Sequence, residues 1–212
     1  MTRPLLLFAP GAGAPSTSAW MRAWAERLAP LGDVVPFDYP YMKARVETGK
    51  RRPPDRLPAL IAAHAAALAG ARAGRRTVLL VGKSMGSRVG CHLSLEAAVD
   101  GLVCFGYPLV GMNGARRDEV LVALRTPVLF LQGTRDELCP LDLLAEVRTR
   151  MTAPSALHVV EDGDHDLATR KKVTGRPQAE VDADVLRAVA EFVDSKKSRD
   201  TESTERAEKS RK

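Results

Sequence analysis

The pentapeptide Gly82-Lys83-Ser84-Met85-Gly86 limits the folds open to this chain more than any other stretch. An unbroken run of β-formers, Thr77 to Val81, leads into it, and Ser87 to Ala98 can continue from it as a helix. Strand, G-x-S-x-G and helix in that order is the sequence form of a nucleophile elbow. Such a turn is so tight that a side chain at Gly82 or Gly86 would collide with neighbouring backbone. It leaves the serine hydroxyl exposed at a strained tip. The helix that starts there offers free N–H groups and a positive dipole end to a developing oxyanion. Gly and Ser are common, so the motif gains its weight from the strand and helix around it.

The rest of the chain supplies the company such an elbow needs. Leu5 to Ala9 is a continuous apolar run, as expected for a strand covered on both faces. A Gly/Pro loop, Pro10 to Pro15, follows, and Ser16-Thr17-Ser18 offers N-caps for a helix with Trp20, Trp24, Leu28 and Leu31 on one face. Further strands are predicted at Asp33 to Phe37, Gly101 to Gly106, Pro127 to Gln132 and Ala156 to Val160. Between them, helices are predicted from Leu57 to Gly70 or Gly74, near Arg116 to Leu124, and from Leu141 to Met151. A last helix carries Val181, Val185, Val189 and Phe192. Arg45 to Arg56 reads as a basic Pro/Gly loop. Strands alternating with helices imply an α/β fold with a mostly parallel sheet of about six strands between two helical layers. In such sheets ligands sit beyond the carboxyl ends of the strands, where strand order reverses. Only about forty residues separate Ser84 from the fifth strand, so no large lid fits there.

Composition narrows the class further. The chain's 212 residues, 45% of them apolar, suit one folded domain, taken as 1–195. No apolar run reaches the ~20 residues of a membrane span. Leu5 to Ala9 is too short for a secretory core. The three cysteines, Cys91, Cys104 and Cys139, are few and widely spaced, which suggests neither a disulfide framework nor a zinc site. An intracellular, reducing compartment is the plain expectation, cytoplasmic or nuclear. Of the net charge of +6, half lies after Ser195, where seven basic and four acidic residues stand without a large apolar one. That segment, 196–212, is expected to be a charged, disordered tail. The body is then only mildly basic, and no nucleic-acid-binding motif accompanies it.

A serine hydroxyl needs a general base within hydrogen-bond reach. Of four histidines, His64 and His92 fall in predicted helices and His158 in a strand. His165 alone stands in a loop just past a strand, Glu161-Asp162-Gly163-Asp164-His165-Asp166, and downstream of the serine as the order Ser…Asp/Glu…His requires. The competing reading is an acidic solvated turn with an incidental histidine. Asp136, emerging from the fifth strand in Gln132-Gly133-Thr134-Arg135-Asp136, is the candidate to orient the imidazole. Glu137 is the neighbouring alternative, and a helix N-cap is the alternative role for Asp136. Asp164 and Asp166 adjoin His165 too closely to reach its Nδ1 with ease. The oxyanion donors expected are the N–H groups of Met85 and, from the loop after the first strand, Ala12. "GKS" at 82–84 is not a phosphate loop, because Val78 stands where its upstream Gly would be.

Taken together, PGAGAPS, FDYPY, GKSMGSRVGCH, CFGYPL, LFLQGTRDELCPL and GDHDL resemble a small branch of the α/β-hydrolase superfamily related to dienelactone hydrolase. The resemblance runs from about Leu5 to Val193 and extends to the testis-expressed hydrolase-like proteins and the hydrolase-like domain of the third NSL chromatin-complex subunit. It implies a three-layer α/β-hydrolase fold, with Ser84 as nucleophile, Asp136 as acid and His165 as base. One departure is Pro10, where many relatives carry a histidine before the oxyanion glycine. The expectation is a serine hydrolase acting on a carboxylic ester or thioester of a small or acylated substrate, without cofactor or metal. The chromatin-complex resemblance implies the alternative, a non-catalytic scaffold with a protein partner. Arg45 to Arg56 and Arg170-Lys171-Lys172 are expected on the catalytic edge, where they would attract anions.

Overall fold

Six strands, β1 (Leu5–Ala9), β2 (Asp33–Pro36), β3 (Val78–Lys83), β4 (Gly101–Phe105), β5 (Val128–Gly133) and β6 (Ser155–Val160), form one sheet in the order β2-β1-β3-β4-β5-β6. The computed structural model of the chain describes residues 3–72, 74, 77–111 and 113–209, with side chains as far as 196. Every pairing is parallel. The cause is visible in the strands themselves. β1, β3, β4 and β5 are buried at every position, so neither face can be left to water.

Successive residues point to opposite sides and divide the core in two. Leu5, Leu7, Leu80 and Phe130 face one helical layer, which includes Cys91 of α4 (Met85–Leu93) and Leu144 of α6 (Leu141–Arg150). Leu6, Phe8, Leu79, Val81 and Phe105 face the other, built from Met21, Trp24 and Leu28 of α1 (Ala19–Leu28) and Val181 to Val193 of α8 (Gln178–Lys209). Each fully buried Leu or Val contributes roughly 1.5–3 kcal/mol of transfer free energy, which fixes strand register as well as stability.

The chain enters at β1, crosses to β2 at the edge, and returns past β1 to β3. From there it proceeds the other way through β4, β5 and β6. The reversal therefore falls between β1 and β3, whose carboxyl ends adjoin. A crevice is expected there in any open parallel sheet. Between β4 and β5 the described residues hold one short helix, α5 (Glu119–Ala123), so the predicted absence of a large lid agrees with the architecture.

Two differences from the expectations have local causes, and the C-terminal segment is described in part. Arg45 to Thr48 belong to a helix, α2 (Pro40–Thr48), rather than to a loop. Pro40 at its first turn needs no N–H partner, and Gly49 closes it at φ 67° in the left-handed region that glycine tolerates. β3 runs on to Lys83, because Lys83 still pairs with Phe105. The backbone of α8 runs to Lys209, within the segment expected as a tail. Lys196 lies over the Phe192 ring at 4.3 Å. The remainder of that reading, side chains from 197 and the whole of 210–212, lies outside the described residues.

Tyr41 and Met42 of α2 pack in one cluster with Leu60 of α3 (Leu57–Ala71), a helix in which His64 is fully buried. Its Nδ1 pairs with the Tyr39 hydroxyl at 3.2 Å, while Nε2 has no partner among the described residues. Burial pushes the imidazole from 6.5 down to about 3, because a charge there would lose its water. The unfolded chain thus takes up this proton first as pH falls, and stability is lost on descending from 6.5 towards 3. Between pH 7 and pH 5 the loss is expected to be about 2 kcal/mol. Urea unfolding at both pH values checks this: His64→Phe, which cannot titrate, should lose about that much less than wild type.

Candidate active site

Ser84 sits between β3 and α4 at φ 50° and ψ −115°, a conformation that costs of order 1–3 kcal/mol for a residue with a side chain. The surrounding backbone leaves it no alternative. A methyl group at Gly82 would lie 2.3 Å from the Ser87 nitrogen, and one at Gly86 would lie 2.5 Å from the Ala9 carbonyl oxygen. Both contacts are with main chain and cannot relax by a rotamer change. The Ser84 N–H donates to the Phe105 carbonyl at 2.9 Å, which ties the turn to the end of β4.

The loop after β1 reaches the same place. A Cβ on Gly11 would be 3.5 Å from that of Ser84. Two side chains from α2 hold this loop by its carbonyls. The Tyr41 hydroxyl donates to Ala12 O at 3.1 Å, and Arg45 Nη1 donates to Gly13 O at 3.1 Å. These two bonds fix the peptide planes that follow Ala12 and Gly13 and hold the loop against α2. Met85 opens α4, so its N–H is one of the first-turn donors with no carbonyl partner inside the helix.

His165 and Asp136 are brought together by the loops after β6 and β5. Gly133 ends β5 in contact with the β6 loop, where any side chain would lie 2.2 Å from Gly163 O. Arg135 N–H donates to Gly163 O at 2.8 Å, and Asp162 N–H donates to Thr134 Oγ1 at 2.8 Å. Across this seam, His165 Nδ1 and Asp136 Oδ2 are 2.8 Å apart. The carboxylate is 1% exposed and the imidazole 29%. Asp136 Oδ1 accepts from Leu138 N–H at 2.9 Å, and the Gln132 amide donates to Oδ2. Burial pushes this carboxyl's pKa up, but the hydrogen bond and charge of His165, with the Leu138 and Gln132 donors, outweigh it. The group is held below the usual Asp range and is ionised at neutral pH. An ionised carboxylate only accepts, so the hydrogen bond puts the imidazole proton on Nδ1 and leaves Nε2 as an acceptor.

The ring rests against Gly106, at φ 59°, where a Cβ would stand 3.2 Å from His165 Nδ1. Phe105, whose carbonyl holds Ser84, is the preceding residue, so imidazole and serine flank the end of β4. Among the described residues Ser84 Oγ makes no hydrogen bond to the imidazole. In free enzymes such contacts commonly tighten only when substrate is bound. The N-cap alternative for Asp136 does not apply, since α6 is preceded by Pro140. His92 and His158 lie in α4 and β6, a helix and a strand as the sequence suggests.

Several residues at the site had no clear mark in the sequence. Gln132 is fully buried; its carbonyl oxygen accepts from Tyr107 N–H at 3.2 Å, which aims its amide at Asp136. Gly106 was read only as the end of a strand. Asp162 is buried and braces the His165 loop, taking Arg170 N–H at 2.8 Å and Arg170 Nε at 3.0 Å. The Arg170 hydrogen bond lowers the Asp162 carboxyl to about 2. Arg170 is thus committed to the protein and not free for an anionic ligand. Among the described residues no group of three His, Cys, Asp or Glu side chains is placed to hold a metal ion, and no helix is long and apolar enough to cross a membrane.

Residues 2–194 match the model of an alpha/beta hydrolase domain, and the chain belongs to that family. Solved structures share its fold. A putative hydrolase of the alpha/beta superfamily from Xanthomonas campestris pv. campestris is 22% identical, with a TM-score of 0.62 over 92% of this chain and 99% of that one. A dienelactone hydrolase from Anabaena variabilis is 18% identical, TM-score 0.61, over 90% and 85%. Est1E from Butyrivibrio proteoclasticus is 14% identical, TM-score 0.64, over 93% and 89%.

The close approach of Gly106 to the imidazole gives a test of how the site is assembled. Gly106→Ala is expected to destabilise the protein by about 2 kcal/mol or more, from left-handed backbone strain plus the clash with His165. Denaturant unfolding measures the first effect. Loss of the His165 imidazole's native NMR signal position, with β-sheet amides unmoved, measures the second.

Proposed function

We propose that the protein is a serine hydrolase that cleaves carboxylic esters or thioesters through an acyl-enzyme. The observation that carries this is the 2.8 Å contact between His165 Nδ1 and a buried Asp136, formed beside the strained Ser84. Esterases among the proteins of similar fold, including one from an Arctic intertidal metagenomic library at 21% identity, favour the same chemistry.

In this reading Ser84 Oγ attacks the substrate carbonyl carbon as His165 Nε2 takes its proton. Asp136 holds the ring and stabilises the imidazolium without itself taking the proton. The Met85 and Ala12 N–H groups donate to the oxyanion of the tetrahedral intermediate. Collapse expels the alcohol or thiol, which leaves with the proton from His165. Water then attacks the acyl-enzyme with the same proton relay, releasing a carboxylic acid and free Ser84. Tyr41 and Arg45 contribute by fixing the loop that presents Ala12. The short β4–β5 connection suits a small substrate, or the exposed end of a larger one.

A fluorophosphonate probe is expected to label wild type and to leave Ser84→Ala unlabelled at equal folded concentration. Labelling of both to the same extent would sink the reading. Asp136→Asn should keep the fold but lower kcat for p-nitrophenyl acetate by roughly 10³–10⁴-fold, since an amide in that place no longer enforces the productive tautomer.

A further inference from the structure

The residue immediately before the serine carries a buried charge that the chemistry above does not use. Lys83 is 7% exposed, at the end of a strand whose other residues are apolar or Gly82. Its side chain follows the row of Leu79 and Val81 to the α1 face of the sheet. There it meets Trp20 of α1, with Nζ 5.4 Å from the ring centroid. An ammonium taken out of water there must find acceptors or the fold loses several kcal/mol.

Its acceptors lie on one segment. Nζ donates to the main-chain carbonyl of His165 and forms an ion pair with Asp166 Oδ1 at 2.9 Å. Trp20 Nε1–H donates to Asp166 O at 3.0 Å, holding Asp166 a second time from the neighbouring element. Burial lowers the Lys83 pKa, and the Asp166 charge and hydrogen bond act against that loss. The loop itself needs such anchoring: Leu167 stands at φ 62°, and Asp164 Oδ1 accepts from both Asp166 N–H and Ala168 N–H to close a tight turn.

We propose that Lys83 is a positioning residue, tying the strand that carries Ser84 to the loop that carries His165 and so setting their separation. The elbow then holds the nucleophile by backbone and the base by the adjoining side chain. This rests on the hydrolase reading for its kinetic consequence, but not for its structural one.

The test uses the full chain with two substitutions. Lys83→Met keeps the volume and removes the charge and donors. Asp166→Asn weakens the clasp from the exposed side; Asp166 is 63% exposed, so its fold is not at risk. Hydrogen exchange at the 164–168 amides should quicken about tenfold or more in Lys83→Met, and less in Asp166→Asn, with β3 and β4 unchanged. With p-nitrophenyl acetate, kcat should fall about 10- to 100-fold in Lys83→Met, the cost of misplacing a reacting group by roughly 1 Å, while KM stays within twofold. Asp166→Asn should lower kcat by a smaller factor, again without changing KM. If Lys83→Met does not fold, Asp166→Asn alone decides. Unchanged exchange in the loop overturns the proposal, as does a loss confined to KM or an unaltered kcat. If wild type is no more active than Ser84→Ala, it is the hydrolase reading that fails, and exchange alone then judges the Lys83 anchor.

Discussion

The structure around the site depends on the absence of two methyl groups. At Gly82 and Gly86 the backbone of β3, α4 and the β1 loop approaches to distances that no Cβ tolerates. That proximity forces Ser84 into its unusual backbone conformation and lets Gly11 come up beside it. The cost is strain at one residue. It is offset by the fully buried strands on either side, whose apolar side chains lock β1 and β3 in register. A rigid sheet can hold a strained turn where a mobile loop would relax it.

The second half of the site has a different foundation. His165 and Asp136 belong to loops pressed together at Gly133 and Gly163, and polar contacts do most of the fastening. Asp136 is charged and nearly inaccessible, yet each of its oxygens is supplied with donors. Asp162 is likewise buried and met by Arg135 and Arg170. Buried carboxylates with both oxygens engaged make stiff supports, because moving any one member exposes an unsatisfied charge. The two halves meet at the end of β4, where Phe105 holds Ser84 and Gly106 makes room for the imidazole.

Much of this arrangement was legible in the sequence, and for a reason. Uninterrupted apolar runs mark the central strands, and a parallel order follows from the alternation of strands with helices. Ser84, Asp136 and His165 stand out because each follows a strand, and loops after parallel strands share one edge. What stayed hidden depends on contacts between distant residues. Nothing local marks Gln132 as the partner of Asp136, or Lys83 as anything more than the variable position of the elbow. Gly106 required knowledge of what lay across from it. α2 is a different case. Pro40 and Gly49 bracket it with recognisable start and stop signals, but the Pro, Gly and Arg residues that follow drew its second half into a loop reading.

The order in which the parts occur along the chain has a consequence for synthesis on the ribosome. The loop after β1 and the serine lie in the first half, at the ends of β1 and β3, which pair with each other. Asp136 and His165 come from β5 and β6, added at one end of the sheet. Until β5 and β6 are added, the turn at Ser84 stands without the loops that carry Asp136 and His165. On the hydrolase reading proposed above, the serine then has no base, and reactivity waits on the last strand.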